Sequence, residues 1–208
     1  MRTGGEETKR KILAVAEDLF SEKGFDGTSV GMIADAVGIN KGLIYYHFKN
    51  KNDIMISLFL NVIEELSEYL DKNSTRSGDA SLSIDTTEKI RQEIGFLEKR
   101  KRILSVIVME ALKSEDEDNF LLKCAQMHLN HEIEEIGGIE KSKTTGFSGD
   151  NEFLVYEFFT GFVPIIFFVV MKEKWCRFYG CDGDRLLDLF LDSFERTHLA
   201  AHMRQTKR

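Results

Sequence analysis

Three lysines, two tyrosines and a histidine crowd into the stretch GINKGLIYYHFKNK, residues 38–51. Lysine supplies a positive charge suited to a phosphate or to the acceptor edge of a guanine. A tyrosine hydroxyl hydrogen-bonds phosphate oxygens, and its ring can lie against a thymine methyl. Gly42 lets a backbone come close to whatever is contacted. No nucleophile stands beside a base, no glycine-rich phosphate loop appears and no pair of carboxylates is placed for acid and base work, so the chain reads as no enzyme and as needing no cofactor.

The elements that must hold these groups are short helices. Ile12, Val15, Ala16, Leu19 and Phe20 recur on one helical face, with Gly24 as the stop. Thr28 or Ser29 can cap a second helix carrying Val30, Ile33, Ala34 and Val37, which Gly38 ends. Asn40 caps a third, whose buried seam is Ile44 and Phe48; Lys41, Gly42, Leu43, Tyr45, Tyr46 and His47 are then left at its start and outer flank. Asn50 with Asp53 reads as a capping box for a fourth helix reaching about Leu70. Two short helices joined through Val37-Gly38-Ile39-Asn40 make a helix-turn-helix, whose second member fits a major groove. Lys51, at the start of the fourth helix, is placed for a phosphate.

The whole chain of 208 residues is acidic, with 28 Lys/Arg against 35 Asp/Glu. Residues 1–60 balance at zero, and Thr28 to Lys51 carries +2, so the positive charge is local to the reading stretch. Three cysteines, Cys124, Cys176 and Cys181, are too few for a disulfide framework and fit a reducing compartment, although Cys176 and Cys181 could pair under oxidation. The N-terminus has no apolar targeting segment, which implies a cytoplasmic protein. Phe158 to Met171 holds no charge, but at 1.5 Å per residue it spans only about 21 Å against a hydrocarbon core of about 30 Å, so a buried or interface helix is expected and no membrane partner.

Residues Lys9 to Leu58 resemble the tetracycline-repressor (TetR) family of transcription regulators, carrying the ordered skeleton A..LF...G....S...IA...G..KG..Y.HF..K without gaps. The helix-turn-helix is especially similar to that of multidrug-binding members. The resemblance implies groove or phosphate contacts from Lys41, Gly42, Tyr45, Tyr46 and His47, and a phosphate clamp at Lys51; Ser29, Val30, Asn40 and Leu43 complete the expected DNA-binding set. Gly31 departs from the pattern, since many members have a polar or basic residue there that could add a contact from the second helix.

Beyond the polar stretch Asn73–Ser83, helices are expected at about 85–99, 101–114, 117–137, 151–174 and 184–204, with residues 137–150 as a connection. The fold is therefore all-α with about nine helices: a DNA-binding domain over 1–52 and a larger ligand-binding and dimerisation domain over 53–208. The last two helices are apolar enough to meet a second copy, with stripes through Leu186, Leu187, Phe190, Leu191, Phe194 and His198. By resemblance they form a four-helix interface, with Gly161 permitting close approach; the plain alternative is a closed monomeric core.

Phe96, Ile107, Phe120, Met127, Tyr156 and Phe159 suit either an ordinary core or, by resemblance, a cavity for a bulky apolar effector. Glu110 and Glu157 sit in apolar surroundings and need partners. A cationic lipophilic effector held by rings and a carboxylate is one solution; solvent or an arginine is the other, and neutral or acyl ligands stay open. Cys124, His128 and His131 share one helical face and can be drawn as zinc or copper ligands, or as one side of an amphipathic helix. The expected function is a dimeric regulator, a repressor released from a pseudo-palindromic operator by a small hydrophobic inducer. The alternative is a ligand-binding or protein-interaction module that does not read DNA.

Overall fold

The computed structural model describes residues 3–73, 82–113, 119, 121, 122, 125 and 152–200, and every regular element among them is helical. In chain order these are α1 (Thr3–Lys23), α2 (Val30–Val37), α3 (Lys41–His47), α4 (Lys51–Asn73), α5 (Leu82–Glu98) and α6 (Lys101–Lys113). Then come α7 (Glu152–Tyr156), which runs through a π-helical segment (Glu157–Phe162) into α8 (Val163–Tyr179), and α9 (Gly183–Phe194), which ends in a second π-helical segment (Glu195–Leu199). The expected helix over 117–137 and the connection after it lie largely outside the described residues.

Packing divides the chain into Met1–Glu65 with Arg102–Cys124, and Leu66–Lys101 with Ala125–Arg208. Helix α6 falls in the unit of the N-terminal helices, and α4 contributes its first turns to one unit and its last to the other. In the first unit Ile12, Ala16, Phe20, Ile33, Ile44, Phe48, Ile54, Phe59, Ile103 and Ile107 are all buried. Each isoleucine or phenylalanine withdrawn from water contributes roughly 1.5–3 kcal/mol before ordering costs are counted.

Local chemistry sets each helix end. Gly24 and Gly38 take the left-handed conformation, at φ 75° and 78°, that stops α1 and α2. The Gly38 and Ile39 N–H groups then return to the Ala34 carbonyl. Ser29 caps α2 by accepting from the Met32 N–H, and Asn40 caps α3 by accepting from the Leu43 N–H at 2.8 Å. Thr28 does not cap α2. Buried, it donates its hydroxyl proton toward the Leu19 and Gly24 carbonyls and so closes the end of α1. At α4 the Asn50 side chain accepts from the Asp53 N–H, while the Asp53 carboxylate reaches back to the Lys49 N–H, one residue before the usual partner.

In the second unit α5, α8 and α9 pack on one another through Ile90, Ile94, Leu97, Ile165, Val169, Leu187 and Leu191, with the Phe168 and Phe190 rings stacked at 4.1 Å. Ion pairs Arg91–Asp188, Lys172–Glu98 and Lys101–Glu173 rim this packing. The helical stretch Leu154–Tyr179 is long and apolar enough to cross a membrane by length and composition, a test that core helices of soluble proteins also pass. Only 33% of its most apolar window is buried within the chain.

Candidate nucleic-acid interface

Helix α3 divides by its own period. Ile44 and Phe48 are 0% and 2% exposed, while Tyr45 and Tyr46 stand at 55% and 81%. At 81% exposure the Tyr46 ring contributes little to packing within the chain. Lys41, Gly42, Asn40 and Ser29 are exposed and Leu43 borders on it; Val30 and His47 are half-buried. The His47 ring meets Tyr46 edge-on at 5.1 Å and approaches Phe48 at 6.3 Å. Both caps, Ser29 and Asn40, already accept backbone hydrogen bonds, so only their remaining polar capacity faces outward.

Lys51 does not extend from the surface. Its ammonium donates to the Phe25 carbonyl at 2.6 Å and the Thr28 carbonyl at 3.0 Å, and lies 4.0 Å from the centre of the Phe25 ring. Two of its three protons thus hold the α1–α2 turn against the start of α4, which leaves one for a partner outside the chain.

A second grip on that turn was not visible in the sequence. Lys113 of α6 pairs with Asp26 in the turn at 3.2 Å and with Glu110 on its own helix at 2.7 Å. Glu110 first and Asp26 second hold the Lys113 ammonium above the ordinary lysine value of 10.5. This supplies the partner that Glu110 needed. Between the turn and α6 lies an open depression of about 180 Å³ lined by Phe25, Val106, Met109 and Glu110, smaller than the roughly 300 Å³ at which drug-sized sites begin.

The remaining ligand candidates fall in different places. Ile107 is fully buried core in the first unit. Phe96 lies against Tyr69 at 5.4 Å, and Phe159 is exposed on the π-helical segment. Tyr156 and Glu157 come together around His198. The imidazole Nδ1 lies 2.8 Å from the Thr160 hydroxyl and its Nε2 lies 3.4 Å from a Glu157 carboxylate oxygen. Tyr156 stacks on the ring and donates its hydroxyl proton to the His198 carbonyl. Both π-helical segments contribute to this buried polar cluster, a placement frequent where helices carry function. Phe120, Met127, Cys124, His128 and His131 lie outside the described residues.

Gly161, expected at a partner face, is buried within its own chain, and a Cβ there would meet the His198 ring at 2.8 Å, so the glycine makes room for that imidazole. Leu187, Leu191 and Phe194 are likewise buried by α5 and α8 in the same chain, and Phe190 is partly covered by Phe168. Large apolar groups left outward on these two helices are Phe167, Trp175, Phe178 and Tyr179 on α8 and Leu189 on α9.

Residues 12–58 match the family described as bacterial regulatory proteins, tetR family. The HTH-type transcriptional regulator AcrR of Shigella flexneri is 35% identical over 109 residues, 50% of this chain and 48% of that protein. The biofilm operon icaADBC HTH-type negative transcriptional regulator IcaR of Staphylococcus epidermidis is 39% identical over 77 residues, 37% of this chain and 40% of that protein. These matches span about half the length of the relatives or less. Over the full chain, the structure of a TetR family transcription regulator from Marinobacter aquaeolei VT8 superposes with a TM-score of 0.62 at 17% identity, covering 95% of this chain and 98% of that one. Over residues 12–58 the chain is similar to the tetR family of bacterial regulatory proteins, and at 17% identity its likeness to the solved regulator is one of fold.

Proposed function

We propose that this protein is a dimeric, effector-responsive repressor that binds a pseudo-palindromic operator through α3. The observation that carries the reading is the division of α3 into a buried seam and an outward face, with Lys41, Tyr45 and Tyr46 in water and Ile44 and Phe48 in the core. Lys41 and the two tyrosine hydroxyls contact phosphates and base edges, and Ser29, Val30, Asn40, Gly42, Leu43 and His47 complete the surface. Lys51 positions the turn that carries α2. The direction of control, repression, follows the negative regulator IcaR as printed for that relative.

Two heads on one operator require a second copy, and the outward aromatic groups of α8 are the surface offered to it. A hydrophobic effector, with a cationic group if Glu157 is its partner, shifts the population toward a head spacing that no longer fits successive grooves, and the gene is released. The test is fluorescence anisotropy of labelled upstream DNA against excess nonspecific DNA over a range of salt, with and without hydrophobic cations and acyl compounds. Tight, salt-dependent binding that an effector weakens is expected. Equal affinity for every fragment would remove the operator, and an unchanged affinity at saturating effector would remove the switch.

A further inference from the structure

Gly31, the position at which the sequence departs from the family pattern, is a glycine that its backbone does not require. It lies in the first turn of α2 with φ outside the left-handed region, so the main chain there would accept any residue. What a side chain there would meet is the flexible end of Lys41. A Cβ built on Gly31 would lie 2.7 Å from Lys41 Cε and 2.9 Å from Lys41 Nζ, with Ser29 Oγ at 3.5 Å. The lysine head from α3 therefore rests in the volume that any other residue would fill, and it buries Gly31 although it is itself exposed.

We propose that Gly31 is a specificity-determining residue. By leaving that volume empty it seats the Lys41 ammonium over the first turn of α2, beside Ser29, and so fixes where on the operator this charge acts. Lys41 is the movable partner, because its flexible stem ends at the contact; any side chain at 31 turns the ammonium outward and changes the phosphate or base it meets. The inference rests on the operator-reading role of α3 and names the pair that sets its register.

A double-mutant cycle tests it, with Gly31→Ala, Lys41→Ala and the double variant measured on an operator selected from a random DNA pool by the parent protein, and Gly31→Ser as a second substitution. Alanine is a better helix former than glycine, and thermal melting of each variant checks that the head stays folded. With Lys41 present, Gly31→Ala is expected to change operator affinity at least about fivefold and to alter the preferred base at one position per half-site. In the Lys41→Ala background the same change is expected to fall below about twofold. An equal effect in both backgrounds, or none in either, overturns the proposal while leaving α3 as a reader. A parent protein that enriches no sequence fails the operator reading itself, and this proposal with it.

Discussion

Residue by residue, what an ammonium or a ring can do at α3 depends on whether packing has already used it. Tyr45 and Tyr46 were legible from sequence alone, because Ile44 and Phe48 at i,i+4 leave no other direction for them. Lys51 was not. Its partners are main-chain carbonyls of the α1–α2 turn, 26 and 23 residues back, and no side-chain pattern announces a carbonyl. The same holds for Gly161, which is small because His198 needs the space. Replacing Lys51 by Met keeps the stem on Phe25 and removes the donors; the expected loss is about 1–3 kcal/mol in denaturant unfolding. A brace leaves the dependence of DNA affinity on salt almost unchanged, whereas a phosphate contact would lower the slope by about one, so a salt titration of Lys51→Met separates the two.

At the level of elements, helix ends were read well because their signals are local. Ser29, Gly38, Asn40 and the Asn50–Asp53 pair each act within four residues of themselves. What sequence could not give is which helix joins which unit, since that depends on pairings such as Lys113 with Asp26, 87 positions apart. This pairing ties α6 to the turn that Lys51 also holds, so α6 and α4 grip the reading head at one point. Because Glu110 and Asp26 raise the Lys113 value, the pairing is present at neutral pH and is lost as the solution rises through a point above 10.5. Lys113→Met is therefore expected to show less alkaline destabilisation than the parent between about pH 10 and 12, in melting curves taken across that range.

Over the whole molecule, α8 leaves an outward apolar surface among the described residues. Phe167 and Phe178 lie about three turns apart on one face of α8, with the Trp175 and Tyr179 rings 4.6 Å apart beside them. Phe178 is 81% exposed, an unusual state for a phenylalanine unless something covers it. The apolar periodicity of the last helices shows that a stripe is apolar and not which neighbour covers it; Leu187, Leu191 and Phe194 are covered within the chain itself. Phe178→Ser together with Trp175→Ser is expected to shift the protein from dimer to monomer in sedimentation, with the helical content kept. Selection of bound DNA from a random pool by the purified full chain tests the operator reading most directly. We expect enrichment of one inverted repeat with half-sites spaced by a helical turn or a multiple of it, about 34 Å per turn, bound by two protomers or a multiple of two. Enrichment of no sequence, or of a single unsymmetric element bound by one chain, would contradict that reading.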